Sequence, residues 1–261
     1  MTGATRSACP VTDTTAMKSM KAFVGRGALA GLVGGALGAV FLWLVTEKQI
    51  RAAIALEPVT AGHDEMFSRS TQVVGGMFAT VLYGLFIGVI FGVVCALLWS
   101  KLPGGNGFSR AIRLACLGFV GWVLVPALKY PANPPAVGDP NTVNDRTVAF
   151  IVLLAVSLIL MVIAWKAWTV LTERGVHGAA RFAAVVGGYG VVVGAILALL
   201  PASPDSVTAP ATLVWLFRIE SLGGQLLLWI AVGTAFGWLA ERAEAAERTR
   251  PTGSAGPLVS P

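Results

Sequence analysis

The chain alternates between short polar stretches and long apolar runs, and the runs set the elements. A helix rising about 1.5 Å per residue needs about 20 apolar residues to cross a bilayer core. Stretches that meet or approach this length run from about Ala22 to Thr46, Val73 to Trp99, Ile112 to Leu128, Val148 to Leu171 and Phe182 to Leu200. A sixth begins between Leu213 and Ser221 and ends near Leu239. The runs are continuous and do not alternate with polar residues, so they predict spanning helices and not barrel strands. The expected fold is an all-α integral membrane protein, a polytopic bundle of about six transmembrane helices.

Two of these elements are marginal. The third is short, with Arg113 near its start and Pro126 near its end. The sixth carries Arg218 and Glu220 in its first turns, and their two-residue spacing does not place them on one helical face. They fit an interfacial position beside Trp215; set deeper, they need partners on other helices and read as functional. Lys166, between Trp165 and Trp168, fits a simple interfacial anchor.

The expected organisation is a polar N-terminal tail (1–21), the six-span bundle (22–240) and a polar C-terminal tail (241–261). Met1–Ala16 and Arg248–Pro261 are small, polar and rich in Pro and Gly, which predicts no regular structure there. Glu241–Arg248 reads as a frayed extension of the last helix. The apolar stretch Phe23–Val45 follows Lys18 and Lys21, but it is too long for a signal peptide and is read as a retained span.

Composition agrees with a lipid solvent. The 261 residues are 56% hydrophobic and 12% charged, with a mean hydropathy of +0.76. A soluble domain carries about twice that share of charge. The formal net charge of +6 comes from basic residues at the ends of apolar runs, which signals membrane orientation and not nucleic-acid binding. One side receives Arg6, Lys18 and Lys21, with Arg26 at its edge, then Lys101, Arg110, Arg113, Arg174, Arg181, Arg242, Arg248 and Arg250; the other receives Lys48, Arg51, Arg69, Lys129 and Arg146. The richer side holds both termini, which predicts that both are cytoplasmic. Moving Arg174 and Arg181 outside would spoil this asymmetry, so the bias supports keeping the third span.

The acidic residues fall the other way. Glu47, Glu57, Asp64, Glu65, Asp139, Asp145 and Asp205 all lie on the expected outer side. Acidic residues barely influence topology, so this partition is an independent observation. It suits cation capture, and it suits ordinary solvated loops still better. Within it, Glu57, His63, Asp64 and Glu65 combine an imidazole with carboxylates, donors that suit cobalt, nickel or zinc held loosely. His177 lies on the opposite side and cannot join them.

Small residues recur at four-residue spacing: Gly27, Gly31 and Gly35; Gly84, Gly88 and Gly92; Gly190 and Gly194; Gly233 and Gly237. This spacing predicts spans packed through Gly-rich faces. The second outer loop, Lys129-Tyr130-Pro131-Ala132-Asn133-Pro134-Pro135-Ala136-Val137-Gly138-Asp139-Pro140, is stiffened by its prolines. It reads either as a rigid hairpin or as an outer lid. Thr142 followed by Asp145 resembles a capping box for the fourth helix. Lys129, Asn133, Asp139, Arg146, Arg218 and Glu220 are the candidate entrance or gating residues.

Enzyme signatures are missing. No Gly-x-x-x-x-Gly-Lys, His-Glu-x-x-His or Gly-x-Ser-x-Gly occurs, and paired haem-ligating histidines are absent. No catalytic residue and no cofactor is therefore expected. Cys9, Cys95 and Cys116 form no CxxC; the latter two lie in apolar runs, where cysteine ordinarily serves as a small hydrophobe.

Three stretches together resemble the CbtA family of predicted cobalt transporter subunits. They are Ala53–Glu57 with Ser68–Gln72, Leu128–Thr147 with its Lys-Tyr-Pro-x-Asn-Pro-Pro-x-Val-Gly-Asp-Pro run, and Leu216–Gly223. The resemblance extends from about Lys21 to Ala240. It implies a bacterial cytoplasmic-membrane protein for cobalt uptake, with the cobalt ion as transported substrate. It also implies a small single-span, His-rich CbtB-type partner, which would supply imidazoles that this chain lacks. A homo-oligomer is a further expectation. The alternative reading is a non-transporting membrane scaffold or assembly protein, motivated by the glycine-rich helices and the scarcity of central polar groups.

Overall fold

A computed structural model describes residues 11–56, 67–102, 104–135, 137–138, 140–202, 207 and 209–249. Six helices are long and apolar enough to span a membrane: α1 (Ser19–Ile54), α2 (Arg69–Leu98), α3 (Gly107–Lys129), α4 (Val143–Glu173), α5 (Gly178–Leu199) and α6 (Ala211–Arg248). No strand occurs among the described residues. The first helix begins at Val11, so residues 11–16, expected to be irregular, are helical.

Short capping devices set several boundaries. Ser68 precedes α2 in an extended conformation, and its Oγ accepts the Thr71 backbone N–H at 3.4 Å. Asn106 does the same for α3, its Oδ1 accepting the Ser109 N–H at 2.9 Å. Gly175, at φ +75°, ends α4: the Val176 N–H reaches the Leu171 carbonyl at 2.9 Å and the Gly175 N–H reaches Thr172 at 3.1 Å, a Schellman closure. The start of α4 differs from expectation. Thr142 occupies the cap but has helical dihedrals, and its side chain makes no cap hydrogen bond. A 3₁₀ turn over Pro140–Thr142 has already wound the backbone, so the hydroxyl is not aimed at the first free N–H groups.

The marginal third span is a full helix. Pro126 cannot donate to the preceding turn, and the π-helical turn Phe119–Leu124 just before it absorbs the mismatch. The sixth helix starts at Ala211, ahead of the charged residues that had made its beginning ambiguous. Both charges are met by groups on other segments, so they do not interrupt the helix. The first helix also overshoots its expected end: a π-helical turn over Leu42–Thr46 leads into Glu47–Ile54.

Packing divides the bundle. α1, α2, α3 and α6 share one core, built around Ala30, Ile87, Phe91, Ala111, Ala115, Trp229, Val232 and Phe236. At the end nearer the described termini, Phe23, Trp99, Phe91 and Phe236 meet edge to face, with ring centroids 5.2–6.0 Å apart for Phe23–Trp99, Phe91–Phe236 and Trp99–Phe236. Helices α4 and α5 attach to α3 through a smaller cluster of Val125, Leu153 and Val193. The most apolar windows of α1, α2, α3 and α6 are 33%, 33%, 28% and 39% buried, against 11% for α4 and 6% for α5.

The closest contact is between α1 and α2. A Cβ on Gly92 would stand 2.6 Å from the Phe23 carbonyl oxygen, and one on Gly35 would stand 2.8 Å from that of Val81. Gly27 and Gly31 lie directly against the backbone of Gly84, Gly88 and Gly92. The two backbones touch where no side chain fits, as the four-residue spacing predicts. Gly233 and Gly237 likewise receive Ala115 and Phe108 of α3. A Cβ on Gly190 or Gly194 of α5 would meet nothing within 4 Å, so that repeat packs against no other helix among the described residues.

Candidate functional site

The end of the bundle away from the described termini holds a cavity of about 990 Å³. Its walls come from the distal halves of α1, α2, α3, α4 and α6 and from the proline-rich loop, of which Tyr130–Pro135 and Val137 all face it. Two of the three π-helical turns contribute: Leu42 and Thr46 from one, Trp122 and Val123 from the other. Such turns re-aim side chains that a regular helix would direct elsewhere.

Most of the lining is apolar, but a set of polar groups interrupts it. Arg218 Nη2 donates to Asn133 Oδ1 at 2.7 Å, and its Nε donates to the Ala132 carbonyl at 3.3 Å. These two bonds tie α6 to the loop. Tyr130 OH adds a bond to the Pro201 carbonyl at 3.2 Å, tying the loop to the segment after α5. Glu220 Oε1 accepts from Gln49 Nε2 at 3.3 Å, which links α6 to the end of α1; Glu220 Oε2 is buried and has no hydrogen-bond partner. Deeper along α6, Gln225 Oε1 faces the Tyr83 hydroxyl at 3.5 Å. Thr46, Thr80, Ser221 and Arg146 complete the polar lining.

Beside the cavity lies a closed ion cluster. Glu47 is 6% exposed, and its two oxygens accept from Arg69 Nη2 at 2.8 and 2.9 Å while Arg51 Nε donates at 2.9 Å. A single guanidinium nitrogen thus sits between the two carboxylate oxygens, a charge-assisted contact. The cluster joins the end of α1 to the start of α2 and so closes the loop between them at its base. It also engages Glu47 fully, removing it from the carboxylates open to a cation.

The site therefore contains four of the residues singled out from sequence: Asn133, Arg146, Arg218 and Glu220. Lys129 sits at the end of α3, half-buried and outside the cavity lining. Glu57, His63, Asp64, Glu65 and Asp139 lie outside the described residues. Among the described residues no three His, Cys, Asp or Glu side chains come together as a metal-binding group. Sequence reasoning missed Gln49, Tyr83 and Gln225. Each is a neutral polar residue in or beside an apolar run, and a search for amides and hydroxyls at membrane depth would have found them.

The architecture defines a class: a multi-pass membrane protein with a mostly apolar cavity, interrupted by a few polar groups, at one end of its helix bundle. Residues 20–241, nearly the whole chain, match the family described as "Probable cobalt transporter subunit (CbtA)", and the chain belongs to that family. Neither a curated protein nor a solved structure matches it. Family membership makes it a subunit in a transport system, which implies partners and points away from an enzyme.

Proposed function

We propose that the chain is the membrane subunit of an uptake system for cobalt, or a related divalent cation, that captures the hydrated ion at an acidic outer face. In this reading Glu57, His63, Asp64 and Glu65 attract the ion above the loop base closed by Glu47 and Arg69. The proline-rich loop frames the entrance, with Asn133 and Arg218 holding it in place and Lys129, Asp139 and Arg146 nearby. The supporting observation is the cavity itself. It brings the proline-rich run and the Leu216–Gly223 stretch, which are far apart in sequence, around one opening.

The expected setting is a bacterial cytoplasmic membrane with both termini cytoplasmic, so that the cavity faces outward. A reporter fused within residues 174–181 should then read cytoplasm. A single-span, His-rich CbtB-type subunit or a second copy of this chain is the expected partner. Cobalt accumulation under cobalt limitation should fall when the gene is removed; equal uptake with and without it sinks the proposal. Glu57→Ala and His63→Ala should each lower uptake at limiting cobalt by several-fold, and unchanged uptake removes the capture site.

One observation favours the alternative of a scaffold or assembly protein: the glycine face of α5 has no neighbour against it among the described residues. Stable co-purification of a partner, together with no metal phenotype on gene loss, would select that reading.

A further inference from the structure

We propose that Glu220 is the cation-binding carboxylate inside the cavity, a station for a divalent ion that keeps most of its water. This rests on the uptake reading and locates a second site for its cargo, separate from the outer loop.

Two carboxylates near the same end of the bundle make the argument. Glu47 is buried and fully neutralised, with guanidinium donors on both oxygens. Glu220 receives one 3.3 Å hydrogen bond from a neutral amide, and its second oxygen is buried with no partner. An unsatisfied buried carboxylate oxygen is costly, and turning it into the cavity, where an ion can reach it, relieves that cost. An acidic group at this depth in a spanning helix lies about 13 Å along α6 from Ala211 at 1.5 Å per residue. Such a group ordinarily marks an ion path.

The surroundings define the ion's chemistry. Thr46, Thr80, Tyr83, Ser221 and Gln225 line the same cavity and offer only oxygen or amide donors. Among the described residues no thiol or imidazole lines it. One carboxylate among neutral oxygens suits a hard or borderline ion with an incomplete protein shell. The volume of about 990 Å³ leaves ample room for retained waters. Arg146 and Arg218 share the wall, and Arg218 is turned onto Asn133 and the Ala132 carbonyl. Their positive charge keeps the station weak, which a transported ion needs in order to leave. The site should thus hold cobalt through oxygen donors and retained water, and discriminate little among divalent ions of similar size.

The test uses the full chain in lipid nanodiscs. A hydrophobic carbodiimide should modify Glu220, read by peptide mass spectrometry, and cobalt(II) chloride should suppress that modification at least fivefold where choline chloride does not. Labelling at Glu220 that ignores saturating cobalt overturns the proposal, and this measurement needs no variant to fold. In cells, Glu220→Gln, which keeps the shape and the bond from Gln49, should reduce cobalt uptake to the level seen without the gene, while Glu220→Asp retains part of it. Wild-type uptake in Glu220→Gln, alongside loss of uptake on gene removal, overturns the Glu220 station and leaves the uptake reading standing. Equal uptake with and without the gene overturns both.

Discussion

The α1–α2 pair and helix α5 carry the same glycine spacing and occupy opposite environments. In α1 and α2, Gly27, Gly31 and Gly35 lock backbone to backbone against Gly84, Gly88 and Gly92. In α5, a Cβ on Gly187, Gly190 or Gly194 would meet no neighbour within 4 Å among the described residues. Lipid offers no hydrophobic force to drive helices together, so association in a bilayer depends on close packing and polar contacts. Spacing therefore reports where a backbone can be approached. A contact also requires a complementary small-residue face on a neighbour, and α1 and α2 supply one to each other.

The largest expected effect comes from breaking that contact. Gly88→Val would place side-chain carbon against the Gly27 carbonyl and within 2.7 Å of the Gly31 backbone nitrogen. Rigid backbone lies on the far side, so the helices must separate. Overpacking typically costs 1–3 kcal/mol, and here we expect about 3 kcal/mol or more. Thermal unfolding in detergent should show a marked drop in midpoint. A Gly88→Val protein as stable as wild type would mean that the helices are farther apart than described.

The next effect concerns the ion cluster at the loop base. Arg69→Ala leaves the buried Glu47 carboxylate with Arg51 alone, and Arg51 has a side chain 66% exposed. A buried charged group stripped of its main partner should cost about 2 kcal/mol. Arg51→Ala removes a solvent-screened contact and should cost less than about 0.5 kcal/mol. The two variants measured side by side sharpen the contrast. Equal losses would show that the exposed Arg51 carries as much of the cluster as the less exposed Arg69.

Much of the fold was legible because the membrane imposes it. Continuous apolar runs have to be helical where no water satisfies the backbone, and all six positions emerge from length and hydropathy. The third span was kept for its effect on charge asymmetry, and it is a helix of 23 residues. What escaped was decided by contacts between segments distant in sequence. Arg218 and Glu220 obscured the start of α6 because their partners, Asn133 and Gln49, lie 85 and 171 residues away. Glu47 read as an open outer carboxylate because nothing in the local sequence reveals that Arg69, across the loop, covers it. The π-helical turns that shape the cavity wall carry no sequence signature of the kind proline or glycine provides. The candidate site was thus half visible: its charged members stood out against apolar sequence, while its neutral amides and hydroxyls did not.

The smallest expected effect is the most informative about α5. Gly190→Val adds a β-branched side chain to a face with open space around it, so folded-state clashes are absent. Replacing glycine in a helix also removes a source of backbone freedom from the unfolded chain. The stability of the isolated chain should therefore change by less than about 0.5 kcal/mol, in either direction. Measured against Gly88→Val in the same detergent, the gap between the two variants should be large. If Gly190→Val instead lowers the unfolding midpoint as far as Gly88→Val does, the face of α5 is covered in the purified protein. Its glycines would then serve the same packing purpose as those of α1 and α2, with a surface outside the monomer as their counterpart. The contrast between the two regions would then reflect what each packs against, and not a difference in what the glycines are for.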